Sequence, residues 1–363
     1  NPPDMTMVNG PVPWGIRGAV LALDDYMDVA EVAKPDAFFA TALATSQFRG
    51  KTYGLPHSNQ SAGIAYNAGM FEEVGVSSDP EDFPKTWDEL RALSARFSEM
   101  DGDIVVRAGM VPFVPGDYLS IWLYDVWSVL NGSYLYDHDN EQYTINDEAN
   151  VELLEFWLAW LDEQYGGSIE GLAAQDTWSE MYDGQAFQNK KLAMSHCGCW
   201  SLADQAGAYS DIEFEMAKFP IGPRGAKSVS ASWPNWMCVP STAAHKYEGF
   251  LLAEAFSTYA FYHWFDRVFD LPSWKEFPTD GSILCGLLVE LYGEERAMKY
   301  NEFFFEYRED SIVQWSSPIN DFAYESINQA FDEVMHKVKE PGQALDEVQD
   351  LVQTRLVEEL AVL

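Results

Sequence analysis

The side chains that could do chemistry come in short polar runs, each beside isolated aromatic residues. In "YGLPHSNQSAGIAYN" (53–67), His57, Ser58, Asn59, Gln60 and Ser61 stand between two apolar stretches. Similar runs are "NGPVPW" (9–14), "GDYLSIW" (116–122), "GCW" (198–200), "WPNW" (233–236) and "NDFAY" (320–324). Amide, imidazole and carboxylate groups pair with hydroxyls, and aromatic faces stack on C–H groups. The combination suits a sugar. For 57–61 a solvated loop is the plain alternative.

Signals for catalysis are missing. There is no G-x-S-x-G elbow, Walker A loop, H-E-x-x-H or EF-hand loop. Six His without a tight His/Asp/Glu cluster offer no metal site, and no cofactor is expected. Acidic pairs such as Asp24 and Asp25 could be read as glycosidase carboxylates, but 58 acidic residues create such pairs by chance. In "AMSHCGCW", Cys197 and Cys199 share a strand face and His196 points to the other, which argues against a zinc site. Buried free thiols, or one disulfide to Cys238, are the remaining readings.

At 363 residues, 47% of them hydrophobic, the chain can bury the cores of two domains. Its 13 Trp, 18 Tyr and 22 Phe exceed what cores usually need, which places some rings on a concave surface. A formal charge of −36, spread along the chain, makes nucleic acid and anionic membranes poor partners and leaves neutral or cationic ligands. No apolar run reaches membrane-spanning length, and no signal-peptide pattern opens the sequence.

The elements that would hold these runs alternate between strand and helix. "DMTMVNG" reads as a buried strand ending at Asn9 and Gly10, and "GAVLALDDYM" as a second apolar element. Thr86 and Glu89 form a capping box for a helix bearing Trp87, Leu90, Leu93 and Phe97. "IVVRAGMVPF" is strand-like, and "NDEANVELLEFWLAWLDEQ" is an amphipathic helix whose Trp157 and Trp160 are core residues. "LAMSHCGCW" and "WPNWMCVPS" read as strands, and the segments from Ala243 and Asp321 onward as helices. This alternation predicts an α/β architecture with mainly parallel sheets flanked by helices, joined by several short crossings.

The order of these segments resembles the family 1 extracellular solute-binding proteins, the capture subunits of carbohydrate ABC importers, maltose-binding protein among them. "KTYGLPHSNQSAGIAYNAGMFEEVGV", "KTWDELRALSARF", "AFQNKKLAMSHCGCW" and "FDLPSW" carry the resemblance, in the family's order and across essentially the whole chain. It implies a two-lobed, type II periplasmic-binding-protein-like fold with multiple hinge crossings. Lobe one would comprise 1–112 and 241–310, and lobe two 113–240 and 311–363. Trp200 falls where some members carry a sugar-stacking Trp. Trp14, His57, Asn59 and Gln60 would face the ligand from lobe one, and Asp117, Tyr118 and Trp122 from lobe two. Trp233, Asn235, Trp236 and Tyr324 would complete the ligand-binding set.

Two departures stand out. Many members read Asn-Gly-Pro-Trp where this chain has Cys197, Gly198, Cys199 and Trp200. Members also begin with a strand, a helix and a second strand before the segment matching "NPPDMTMVNG", which predicts an exposed sheet edge in lobe one. The resemblance implies an extracytoplasmic monomer, with lipid anchoring through a missing N-terminus as one arrangement, that captures a small sugar or oligosaccharide for a membrane permease. Alternatives are a binding protein for a polyamine or other cationic solute, a glycan-active enzyme, and a glycan-binding module without a transporter.

Overall fold

The computed structural model describes residues 2–113, 118–173, 185–204, 212–230 and 232–363; at 118–122, 173, 185 and 204 it describes the backbone alone. The strands, in chain order, are β1 (Thr6–Val8), β2 (Gln47–Phe48), β3 (Lys51–Thr52), β4 (Leu55–Pro56), β5 (Ala62–Asn67) and β6 (Glu99–Asp101). They continue as β7 (Ile104–Arg107), β8 (Tyr136–Asp137), β9 (Gln142–Tyr143), β10 (Met194–Gly198), β11 (Phe214–Ala217) and β12 (Trp236–Cys238).

Two three-stranded sheets organise the chain, one ordered β1-β12-β4 and the other β10-β5-β11. The remaining strands form the hairpins β2-β3, β6-β7 and β8-β9. Every ladder between these strands is antiparallel, which corrects the expectation of mainly parallel sheets. Parallel pairing is confined to isolated bridges such as Thr86–Ile221 and Ala108–Leu192. The physical reason is that β5 leads the chain into its sheet while β10 and β11 both run back along it. Among the described strands β1 is paired on one side only, with β12.

Each sheet buries its own apolar set. Leu55, Met237 and Val239 pack with Leu23, Met27, Phe38 and with Phe250 of the helix Lys246–Ser257. Ile64, Tyr66, Cys197 and Phe214 belong to a larger core with the helices Trp87–Ala95, Glu148–Gln164 and Asn320–Met335. The predicted capping box is formed: Thr86 Oγ1 accepts from the Glu89 amide at 3.3 Å, and Glu89 Oε2 accepts from the Thr86 amide at 3.0 Å. Trp157 and Trp160 are buried as expected, because the i, i+3, i+4 stripe of their helix faces the core.

The sheets do not follow the expected boundary at residue 112. β5 lies in "AGIAYN", directly after the polar run, yet it pairs with β10 and β11 and not with β4. The helix Glu294–Arg308, expected in the first lobe, stacks Tyr300 on Phe214 of β11 with ring centroids 5.0 Å apart. No described helix is long and apolar enough to cross a membrane.

Candidate functional site

Residues 57–61 connect the two sheets, and their polarity is explained by burial. His57, Ser58, Asn59 and Ser61 are buried and Gln60 is half-buried. An irregular segment buried between two sheets must satisfy its backbone within the protein. The His57 amide donates to the Asn235 carbonyl at 2.7 Å, and the Asn59 amide to the Leu271 carbonyl at 2.7 Å. Ser61 Oγ lies 2.7 Å from Ser230 Oγ, Ser232 Oγ donates to Asn59 Oδ1, and Gln60 Nε2 donates to Asp270 Oδ1 at 2.6 Å. These side chains therefore knit the crossing to the segments 230–235 and 270–272.

His57 is placed away from any open face. Its ring lies 4.8 Å from that of Phe261 and 5.3 Å from that of Trp264, and Nδ1 meets the Phe256 carbonyl at 2.8 Å. A carbonyl only accepts, so Nδ1 carries the proton. Burial pulls the imidazole pKa down to about 4 and keeps it neutral near pH 7. The solvated-loop reading of 57–61 is overturned, because His57, Ser58, Asn59 and Ser61 are buried and bonded to neighbouring segments.

A second place in the fold has the character expected of a ligand site. Where β1 ends, Asn9 and Gly10 meet Thr45, Trp236 of β12 and the stretch Gln314–Ser316, with Asn320 and Tyr324 beyond, around a cavity of about 40 Å³. Gly10 takes φ +66°, and a Cβ there would stand 3.2 Å from Asn320 Nδ2, so glycine suits both the turn and the close approach. Trp236 Nε1 donates to Thr45 Oγ1 at 3.0 Å. Tyr324 lies 4.4 Å from the ring of Trp315, tilted 42°, and its hydroxyl accepts from Gln314 Nε2 at 3.0 Å.

Three polar atoms in this wall, Gln314 Oε1, Trp315 Nε1 and Ser316 Oγ, are buried without a hydrogen-bond partner. Orphaned buried groups are costly unless a ligand or water completes them. The cavity holds a few waters, at about 10–15 Å³ each, or one small substituent of a larger molecule. Sequence reasoning missed Gln314, Trp315 and Ser316. Their signal in the sequence is "VQWSSP", a polar and aromatic run ahead of a helix like the others.

The remaining candidates fall into separate places. Trp200 and Trp233 touch, with ring centroids 5.3 Å apart at 62°, and Trp233 bridges to Gln60. Trp200 folds over Gly198, where a Cβ would come within 2.4 Å of its ring. Asn235 Nδ2 donates to Ser58 Oγ at 3.2 Å, within the crossing. Trp14 is 49% exposed on the short helix Val12–Ile16. Asp117 lies outside the described residues, as do the side chains of Tyr118 and Trp122, whose backbone opens the helix Tyr118–Leu130.

All four cysteines are free and buried, which removes the disulfide to Cys238: Cys197 lies in β10 and Cys238 in β12, in different sheets. Among the described residues no group of three metal-ligating side chains occurs.

Over 214 residues the chain is 33% identical to a protein of Brucella abortus (strain 2308) named as a binding protein; the match covers 58% of this chain and 47% of that one. The chain thus spans about half the length of the curated relatives it matches. Among solved structures, CpMnBP1 with mannotriose bound superposes with a TM-score of 0.77 at 20% identity, covering 96% of this chain and 85% of that one. A solute-binding protein from Thermotoga lettingae bound with α-D-tagatose gives 0.76 at 20% identity, covering 98% and 85%. The sugar-binding protein MalE of Xanthomonas citri gives 0.72 at 15% identity, covering 99% and 85%. These share with this chain the type II periplasmic-binding-protein fold. The profile of the family described as bacterial extracellular solute-binding protein matches residues 1–263, and the chain belongs to that family.

Proposed function

We propose that the protein is the extracytoplasmic capture subunit of an ABC importer, binding a neutral sugar or oligosaccharide between two lobes and releasing it, chemically unchanged, to a membrane permease. The carrying observation is the cavity at the end of β1, where three buried polar atoms without partners adjoin the rings of Trp236, Trp315 and Tyr324. Ligands of open α/β sheets sit beyond the carboxyl ends of strands, and sugars take this mixture of stacking and amide pairing. Mannotriose, tagatose and the other sugars bound in the structural relatives point the same way.

The lobes are best divided by the sheets. Residues 2–60 and 232–257 go with β1-β12-β4, the described residues of 61–230 and 294–363 go with β10-β5-β11, and 258–293 form the third crossing. The cavity draws Asn9, Thr45 and Trp236 from the first lobe and Gln314, Trp315 and Tyr324 from the second. A ligand held by both sides favours the closed arrangement through its differential affinity. Trp14 and Trp200 extend the binding surface, the protein acts as a monomer, and lipid anchoring is compatible with this role. Among the described residues Asp321 is the single carboxylate in the cavity wall, which supports capture over glycoside hydrolysis, a reaction that uses two.

The test is calorimetric titration with mannotriose, maltose, tagatose and spermidine, repeated on Trp236→Ala and Tyr324→Ala. Saturable binding of a sugar, weakened in both variants and without product formation, is the expected result. Binding of spermidine alone would replace the sugar by a cationic solute, and cleavage of an oligosaccharide would make the protein an enzyme.

A further inference from the structure

Behind Trp315, on the other side of the stretch 312–316, lies a second and much larger cavity of about 480 Å³. Gln314 and Ser316 face the first cavity, Ile312 and Val313 face the second, and Trp315 is in the wall of both. Its volume falls within the ~300–1,000 Å³ typical of small-molecule sites. The helix Tyr118–Leu130 supplies one wall through Asp125 and Val129, and residues 134–138 another.

The lining has the chemistry of a site for an uncharged molecule. The Arg224 guanidinium is held by Glu148 at 3.1 Å and Glu152 at 3.0 Å, and Lys227 reaches Asp310 at 3.4 Å, so the cations at its rim are already neutralised. Val129, Val229, Ile312 and Val313 give an apolar face. Tyr136 Oη and Trp315 Nε1 are buried without a partner in side chains that are each 3% exposed. Asp125, 4% exposed, accepts the Trp315 amide, and burial pushes its carboxyl up to about 8, so it can also donate near neutral pH. His138 is held toward its neutral form by burial.

We propose that this cavity is a second ligand site, independent of the first, for a small uncharged ring compound with hydroxyls on one side and C–H groups on the other. Asp125 and Tyr136 would meet its hydroxyls, and the valine and isoleucine side chains its apolar face.

The experiment is saturation-transfer NMR with methyl α-D-mannopyranoside on the wild type, on Trp236→Ala, which damages only the first cavity, and on Ile312→Trp and Val129→Phe. Those two positions are half-buried and both line the second cavity, which the larger side chains would fill; thermal unfolding checks that each variant is folded. The expected result is saturable binding that survives Trp236→Ala and is reduced at least several-fold by either filler. Binding lost in Trp236→Ala but kept by both fillers would place the glycoside in the first cavity alone and overturn the proposal. Signal that never saturates, or is absent from the wild type, would overturn it equally. Failure of the sugar-capture reading would instead appear as loss of the Trp236-sensitive component, with the filler-sensitive one intact.

Discussion

The guanidinium of Arg49 grips the carboxylate of Glu141 through two parallel hydrogen bonds, Nε to Oε1 at 2.9 Å and Nη2 to Oε2 at 2.7 Å. Both residues sit at hairpin tips with left-handed backbones, φ 46° and 50°, one between β2 and β3 and the other between β8 and β9. The contact ties the β2-β3 hairpin to the β8-β9 hairpin.

Because the pair is partly exposed, 49% for Arg49 and 26% for Glu141, its contribution is that of a surface ion pair, ~0.2–1 kcal/mol. Glu141→Gln should lose that amount in low salt and almost none near ~1 M salt, where the screening length falls to ~3 Å. The hydrogen bonds from Arg49 hold the Glu141 carboxyl below its ordinary value. Its stabilisation is therefore present above the unfolded carboxyl's pKa of ~4.3 and lost as pH falls through the lower folded value. Urea unfolding of both proteins across salt and pH checks this; a difference insensitive to both would sink it.

Gln314 offers the sharpest separation of binding from stability. Its Oε1 has no hydrogen-bond partner, so Gln314→Met removes an unpaired acceptor, at the cost of the one bond from Nε2 to the Tyr324 hydroxyl. Affinity for a captured sugar should fall up to about tenfold, the worth of one neutral hydrogen bond, while the melting temperature changes little. A variant that binds normally would show that Oε1 faces no ligand.

His57 makes the segment between β4 and β5 sensitive to acid. Its folded pKa of about 4 lies below the unfolded value of ~6.5, so the folded state binds fewer protons between them. Stability from neutral His57 is full above ~6.5 and declines as pH falls toward 4, by on the order of 3 kcal/mol. His57→Phe should be less stable than wild type at pH 7.5 and should narrow that gap at pH 4.5, as read by urea titration. A gap that widens in acid would contradict the assignment of a neutral ring.

Gly198→Ala tests how Trp200 is held. The added Cβ would stand 2.4 Å from the indole, so the ring must rotate off the strand. The expected cost is ~1–3 kcal/mol, as for other overpacked sites, with a shift in Trp fluorescence from the broken contact with Trp233. An unchanged emission spectrum would mean that the ring does not rest there.

What the sequence revealed was whatever it encodes locally. Thr86 and Glu89 cap a helix from four residues of context, and the stripe through Trp157 and Trp160 needs only helical periodicity. The ordered motifs carried the family and its fold. The run 57–61 misled because a polar segment looks the same whether water or a neighbouring crossing satisfies it. The pairing of β5 was hidden for a related reason: it follows that run without a change in composition, and its partners β10 and β11 lie more than a hundred residues away. Gln314 and Ser316 become conspicuous only once burial leaves them unpaired.

The crossings have a mechanical consequence. Bridges Gln60–Trp233, Ser58–Pro272 and Ser230–Ser311 bind several chain passages side by side. Strips laminated in this way behave as a flexure: shear between them breaks hydrogen bonds, whereas bending all of them together does not. A relative motion of the two halves would follow that common bend, and the serines and amides of 57–61, bonded across the passages, would set its direction.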